Sequence, residues 1–303
     1  MASLPSLAKP LTPARPQATH QRASRYTPER ILEATLKYGA LVILSLIFLI
    51  PFYLMIRNAL LTERQFGGAD GWIWFPNPIH LQSWTDVFTS DTASMTDGLK
   101  NSFFIAVTQV VGQLLLASAA GYGLARVPFR WNKIFFYAIL FTLMIPGAVT
   151  FIPSFLVVAN LGWVNTYQGL IIPGLFNSFS ALLFRQYFLD FPMEIEDAAR
   201  VDGLGYWGIF WRIVLPNSTT ILLSLGLLAF MGSWNSFLWP LVIGQDSSMW
   251  TIQIVISTFI TQQAVNFPAI FMGGLISIIP LLIIFVFLQR YIVVGLTRTG
   301  IRE

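Results

Sequence analysis

Five long stretches without charged residues constrain this chain more than any other feature of its sequence. No Asp, Glu, Lys or Arg occurs in residues 38–56, 101–125, 134–184, 213–245 or 247–289. A helix needs about 20 mainly apolar residues to cross the hydrocarbon core of a bilayer. Charged residues make up only 11% of the chain, whereas a soluble domain has roughly 25%. The sequence therefore predicts an all-α protein that crosses a membrane several times.

The lengths and interruptions of these stretches predict six spans. The third stretch is long enough for two helices, with a polar break at Asn160, Gly162 and Asn165. Each of the last two stretches holds one span, and an external loop at 244–267 with a short helix of its own separates them. The predicted spans are 37–57, 100–125, 134–157, 167–187, 212–241 and 267–290.

The distribution of basic residues predicts the orientation. With both termini in the cytoplasm, all but three of the 18 Lys and Arg lie on the inner side, the exceptions being Arg57, Arg64 and Lys100. This is the bias of the positive-inside rule. The first 30 residues lack the apolar core of a cleavable signal peptide. We therefore expect a flexible, basic cytoplasmic tail at 1–36 that anchors the topology, followed by a membrane domain at 37–303. The net charge of +4 then requires no nucleic acid as a partner.

The charge-free spans also limit the chemistry. Ion-coupled carriers bind their driving ion with ionisable side chains inside the membrane, and the two histidines, His20 and His80, lie outside the predicted spans. A sodium site made of backbone carbonyls stays open as an alternative. The sequence has no cysteine, no G-x-x-x-x-G-K-[ST] and no H-E-x-x-H, motifs that would indicate a nucleotide or metal site. We expect no catalytic residue, no metal and no cofactor on this chain. Neutral polar residues inside the spans, such as Gln109, Gln113 and Asn177, are interpreted as helix-packing residues.

One acidic cluster lies on the predicted inner side, in the loop at 192–216. Pro192 and Glu194 favour a helix start, and Gly203 and Gly205 favour its end. At about 100° per residue, one face of this helix would carry Ile195, Ala198 and Ala199, and the other would carry Glu196, Asp197 and Arg200. Two interpretations follow. The helix docks on a partner protein, or it lies solvated on the lipid headgroups, where Tyr206, Trp207 and Trp211 would also be stable.

The loop resembles the signature loop of ATP-binding-cassette (ABC) importer permeases. That signature is an acidic residue, two alanines, three residues, a glycine, nine residues and Ile-x-Leu-Pro. In this chain the residues that match the signature are Asp197-Ala198-Ala199, Gly203 and Ile213-Val214-Leu215-Pro216, and their spacing fits without a gap. The first position, usually Glu, is Asp197, which shortens the reach by one methylene. Glu194 and Glu196 are alternatives for the salt bridge that the resemblance implies with an arginine of an ATPase.

Other segments are similar to the maltose MalG-like class of carbohydrate-importer permeases. They are Asn101-Ser102 and residues 119–126, 144–146, 161–167 and 234–241. The resemblance extends over about 37–303 and implies a six-span permease fold with a cytoplasmic coupling helix, in a bacterial inner membrane. It implies a second permease subunit, two ATPase subunits that bind ATP and Mg²⁺, and an external solute-binding protein facing the loop at 244–267. The implied coupling residues are Glu194, Glu196, Asp197, Ala198, Ala199, Asp202, Gly203, Ile213, Leu215 and Pro216.

The resemblance also implies a sugar or a related neutral solute. Sugar sites combine aromatic rings with amides, so Trp234, Asn235 and Trp239 are candidates for lining the path. An alternative for the two tryptophans is packing at the membrane interface. For the function as a whole, the alternatives are a permease for a glycerophosphodiester or another small solute, a stand-alone secondary carrier, and a non-transport scaffold or membrane enzyme.

Overall fold

The computed structural model describes residues 28–68, 71–90, 93–260 and 265–298. Over these residues the chain is helical, and the only β-type pairing described is a single bridge between Ile260 and Val265. The predicted all-α fold is confirmed. The predicted tail lies outside the described residues up to position 27.

Fifteen helices can be numbered along the described residues. They are α1 (Pro28–Ala59), α2 (Glu63–Phe66), α3 (Gln82–Thr89), α4 (Met95–Arg126), α5 (Asn132–Thr142), α6 (Gly147–Asn160), α7 (Tyr167–Ile171), α8 (Ser178–Leu189), α9 (Met193–Val201), α10 (Tyr206–Ile209), α11 (Leu215–Asn217), α12 (Thr219–Trp234), α13 (Leu238–Ile243), α14 (Ile252–Ser257) and α15 (Phe267–Arg298). Short 3₁₀ turns follow α7 and precede α14, and a π-helical turn at Phe210–Val214 joins α10 to α11.

Three of these helices, α1, α4 and α15, are long and apolar enough to cross a membrane without a break. Helix α1 begins at Pro28, so residues 28–36, predicted to be flexible, are helical instead. Of the described residues, those at 28–52 form one unit, and those from Tyr53 to Arg298 form a second unit that contains the remaining helices.

The other three predicted spans are broken. Helices α5 and α6 meet at 103°, the segments Tyr167–Gly174 and α8 at 42°, and the segments Tyr206–Asn217 and α12 at 78°. A proline explains the first break, because the residue before a proline avoids the helical region and proline cannot donate a hydrogen bond. Pro146, the N-cap residue of α6, lies at the first break. Six spans result if each bent pair is one crossing, and that number stays a prediction. The predicted continuous span 212–241 is wrong, since α12 ends at Trp234 and α13 is separate.

Helix α4 lies at the centre of the second unit and packs against α8, α12 and α14. Its close approach to α8 depends on Gly121, where an added Cβ would lie 2.6 Å from Cβ of Phe184 and 2.8 Å from the backbone nitrogen of Arg185. At about 1.5 Å per residue, Asn101 and Arg126 of α4 lie roughly 37 Å apart, and they mark two ends of the bundle. We call them the Asn101 end, where α4 begins, and the Glu196 end, where α9 lies beside Arg126.

Candidate coupling site and solute path

The predicted coupling helix is present as α9, and Pro192 is its N-cap residue. Helix α9 ends before Gly203, as the sequence analysis predicted from Gly203 and Gly205. The backbone N–H of Gly203 donates to the carbonyl of Arg200, and that of Leu204 donates to the carbonyl of Ala199, both at 3.0 Å. These two bonds form the Schellman motif, which requires a left-handed residue after the helix. Gly203 supplies it with φ +86°.

The inner face of α9 holds a buried carboxylate. The side chain of Glu196 is 0% exposed. The hydroxyl of Tyr122 donates to its Oε2 over 3.2 Å, and Nε of Arg126 lies 3.0 Å from its Oε1 as an ion pair. Nη2 of Arg200 lies 3.4 Å from Oε2. An ionised carboxylate is tolerated in such a place only when charges and hydrogen bonds compensate its lost hydration. Glu196 therefore binds α9 to the last turns of α4.

This arrangement contradicts the predicted faces of the helix. Glu196 was predicted to share the exposed acidic face with Asp197, but it is buried with Ala199, three residues further on. Ile195 and Ala198, predicted to lie on one face with Ala199, are exposed. The buried position of Glu196 also removes it as a substitute for Asp197 in a salt bridge with another protein. The signal in the sequence was Tyr122 and Arg126, whose spacing of four places both on one side of α4.

The outer face of α9 is exposed and combines acidic with apolar side chains. Asp197 has a side chain that is 60% exposed and pairs with Arg200 of the same helix. Val201 is 88% exposed. We define the α9 outer face as the exposed residues Glu194, Ile195, Asp197, Ala198, Val201 and Asp202. This face therefore presents both carboxylates and apolar side chains to its surroundings.

The rest of the signature lies in a helical segment packed beside α9. Ile213 and Leu215 are partly buried and Pro216 is exposed. Ala199 belongs to the same core cluster as Ile209, Phe210 and Val214 of this segment, together with Tyr122, Ala117, Ala181, Phe184, Phe188 and Leu225 from α4, α8 and α12. A π-helical turn is frequent at functional sites. Helix α9 is therefore packed both on α4 and on the segment that leads into α12.

The three predicted path residues have different environments. Trp234 is 1% exposed, stacks on Phe230 and donates its indole N–H to the carbonyl of Ser277 over 3.0 Å. It is a packing residue in this structure, so its predicted place on the path is corrected. Trp239 belongs to α13 and donates its indole N–H to the carbonyl of Gly169 over 3.0 Å. Asn235 is exposed at the C-cap of α12, where its amide nitrogen donates to the carbonyl of Met231 over 2.9 Å and its Oδ1 accepts from the amide of Gln253 over 3.5 Å. The places of Asn235 and Trp239 on the path stay predictions.

A cavity of 280 Å³ lies between α4, α12 and the break before α8. Its lining residues are Gln113, Gly174, Asn177, Phe179, Ser180, Leu225, Leu228, Ala229, Gly232 and Ser233. Gln113 and Asn177 were interpreted as packing residues, and both contribute amides to this cavity. The sequence could not indicate it, because the 42° break that brings the residues together is a tertiary feature.

At the Asn101 end, hydrogen bonds join Asn101 and Ser102 to Tyr167 and to the segment around α14. All three residues belong to the segments that resemble carbohydrate-importer permeases. The side-chain amide of Asn101 donates to the carbonyls of Ser248 and Trp250 over 2.8 and 3.0 Å, and its Oδ1 accepts from the hydroxyl of Tyr167 over 2.7 Å. Oγ of Ser102 accepts from the backbone N–H of Ile252 over 2.8 Å. The short helix predicted within 244–267 is confirmed as α14, and residues 261–264 lie outside the described residues. In the described part of the chain, no group of three or more His, Cys, Asp or Glu side chains could hold a metal ion.

Comparison with known proteins agrees with this architecture. Residues 113–298 match the family described as "Binding-protein-dependent transport system inner membrane component". The arabinooligosaccharide transport system permease AraQ of Halalkalibacterium halodurans is 36% identical over 76% of this chain and 82% of its own length. The sn-glycerol-3-phosphate transport system permease UgpE of Yersinia pestis is 31% identical over 84% and 93%.

A solved structure shares the fold. It is a bacterial ABC transporter involved in the import of the acidic polysaccharide alginate, with a TM-score of 0.75 and 22% identity over 88% of this chain and 98% of that chain. The helical fold, the family match and these relatives together identify this multi-pass chain as a permease subunit of an ABC importer. More precisely, the chain belongs to the family of binding-protein-dependent transport system inner membrane components.

Proposed function

We propose that this permease forms half of the path for a neutral carbohydrate and that a separate ATPase docks on the α9 outer face. The complex would contain a second permease, two ATPase subunits that bind ATP and Mg²⁺, and an external solute-binding protein. The chain itself would bind no cofactor and catalyse no reaction. It would lie in a bacterial inner membrane with both termini and the Glu196 end in the cytoplasm, as the basic residues predict.

The observation that carries the docking proposal is the two-sided character of α9. Its inner face is fixed by the buried Glu196, and its outer face exposes Asp197 and Val201. A helix fixed on one side and free on the other transmits displacement as a rigid body, which coupling between distant sites requires. The carboxylates of the outer face suit a basic rim on the ATPase, and they are poor partners for an anionic membrane surface.

The carbohydrate proposal is supported by the arabinooligosaccharide relative and by the charge-free spans. A phosphate or carboxylate crossing the membrane is best balanced by Lys or Arg, and none occurs in 101–125 or 213–245. The glycerol-3-phosphate relatives keep a phosphate-containing solute as the second candidate. The test of substrate class is ATP-driven uptake of radiolabelled arabinotriose and of glycerol 3-phosphate by the reconstituted importer.

Asp197→Lys tests the docking role. We expect normal membrane insertion, loss of the ATPase on copurification and loss of uptake. Asp97→Lys is the matched control, because Asp97 also pairs with a basic residue three positions later on its helix but lies near the Asn101 end. Normal uptake by Asp197→Lys would refute the docking role. Uptake that survives removal of the ATPase and collapses with a proton uncoupler would instead indicate a secondary carrier.

A further inference from the structure

The cavity between α4, α12 and the break before α8 contains polar groups that the described part of the chain does not satisfy. Gln113 is 8% exposed and lines the cavity, and its amide makes no hydrogen bond to another described residue. The same holds for the hydroxyls of Ser180 and Ser233, which line the same cavity. Ser233 is half-buried, and the polar atoms of these three side chains are open to the cavity rather than sealed in the packed interior. They are therefore available to hydrogen-bond a molecule that enters it.

Other hydroxyls in the same helices show the usual pattern. Ser118 of α4 donates to the carbonyl of Leu115, and Ser224 of α12 donates to the carbonyl of Thr220. Such bonds to the preceding turn satisfy a hydroxyl where no water is present. Ser180 and Ser233 do not form them, and their oxygens remain available to a molecule in the cavity.

The helix break shapes the cavity. Oδ1 of Asn177 caps α8 by accepting from the backbone N–H of Ser180 over 2.8 Å, which leaves the amide nitrogen of Asn177 available. Glycines at 174 and 232 contribute no side-chain volume to the lining. The volume of 280 Å³ lies just below the range of about 300–1,000 Å³ for small-molecule sites, which is enough for part of an oligosaccharide.

We propose that this cavity is a solute-contacting subsite that binds neutral polyhydroxylated molecules; this rests on the proposed carbohydrate function. Amides and hydroxyls both donate and accept hydrogen bonds, as do the hydroxyls of a sugar. Phe179, Leu225 and Leu228 supply apolar surface for the carbon face of such a ring. None of the ten lining residues is charged, so a phosphate would lose hydration without gaining a counter-charge.

The absence of cysteine from the sequence allows a direct test. Ser233→Cys places a single thiol of similar size in the cavity, and Ser118→Cys is the control in a position that is 0% exposed. Each variant is assembled with the second permease, the ATPases and the binding protein in proteoliposomes. It is then treated with a charged, water-soluble methanethiosulfonate during ATP turnover, with arabinotriose, with glycerol 3-phosphate or with neither.

We expect labelling at position 233 and not at 118, and a several-fold lower labelling rate with arabinotriose but not with glycerol 3-phosphate. Absence of labelling at 233 in every state would show a dry, lipid-filled groove and overturn the proposal. Labelling without protection by arabinotriose, or equal protection by glycerol 3-phosphate, would overturn it as well.

A second variant, Gln113→Leu, removes the amide and keeps the side-chain size. We expect slower arabinotriose uptake while ATP hydrolysis stimulated by the binding protein stays at the level of the unmodified importer. Unchanged uptake would refute the role of Gln113. If the unmodified importer takes up no arabinotriose, the carbohydrate function itself fails, and this control separates that result from failure of the subsite.

Discussion

The hydroxyl of Tyr122 lies 3.2 Å from the buried carboxylate of Glu196, and this contact joins the last turns of α4 to α9. Arg126, one turn beyond Tyr122, completes the junction with an ion pair to the same carboxylate. A displacement of α9 would therefore act on α4, which packs against α8 and α12.

Glu196→Gln tests this junction. The amide keeps the size of the side chain, but it leaves Arg126 buried without a counter-charge. Breaking a buried ion pair by removing one partner costs about 3–5 kcal/mol, so we expect a clear loss of thermal stability in detergent and of uptake. Glu194→Gln, on the exposed side of the same helix, should change stability by no more than about 0.5 kcal/mol. Equal melting of the two variants would contradict the structural role of Glu196.

Gly203→Ala tests the end of α9. A non-glycine residue at φ +86° costs about 1–2 kcal/mol, and the strain would weaken the two bonds that close the helix. We expect faster hydrogen exchange at the amides of Gly203's neighbours Asp202 and Leu204, together with weaker copurification of the ATPase. Gly205→Ala is the control, because Gly205 has φ −77° and open space around its Cβ position. Indistinguishable exchange in the two variants would show that the motif does not limit the order of α9.

The sequence predicted the helical membrane fold well and the buried charge poorly, for physical reasons. A stretch without charged residues indicates a segment that can lie in lipid. It does not indicate whether the helix in that segment is straight or bent. Spans 134–157 and 167–187 were predicted as single helices, although the break at Pro146 has a local cause that the sequence contains. The break before Asn177 depends instead on how the chain packs. Gly203 was predicted as a stop because its requirement is local.

Glu196 and Trp234 show the opposite case. A carboxylate is normally exposed, and only partners from a distant helix, here Tyr122 and Arg126, make its burial favourable. Trp234 was predicted on the solute path because of its residue type. Its N–H is satisfied by the carbonyl of Ser277, far away in the sequence, and no local pattern indicates that pairing.

Gly121→Ala tests the packing of α4 on α8. The added Cβ would lie 2.6 Å from Cβ of Phe184 and 2.8 Å from a backbone nitrogen, so the helices must separate. We expect destabilisation of about 1–3 kcal/mol, the usual cost of overpacking a core. Gly123→Ala is matched, because nothing lies within 4 Å of its Cβ position and alanine favours a helix by up to about 1 kcal/mol. The measurement is thermal unfolding of both variants in the same detergent. A Gly121→Ala protein as stable as Gly123→Ala would contradict the close approach of α4 to α8 at Gly121.

Asn101→Ala tests how the segment around α14 is held. The substitution removes two hydrogen bonds to the carbonyls of Ser248 and Trp250 and the acceptor for Tyr167. At about 1 kcal/mol for each bond, the segment should lose roughly 3 kcal/mol of local stability. We expect faster hydrogen exchange at the amides of Ile252–Ser257, while exchange in α9, at the other end of the bundle, stays unchanged.

Lys100→Ala provides the control for Asn101→Ala. The side chain of Lys100 is 72% exposed, so its removal should leave exchange in both regions unchanged. Unchanged exchange at α14 in Asn101→Ala would mean that burial of Ile252, Ile254 and Val255 holds the segment without the amide. A parallel loss of protection in α9 would show instead that the two ends of α4 are energetically coupled.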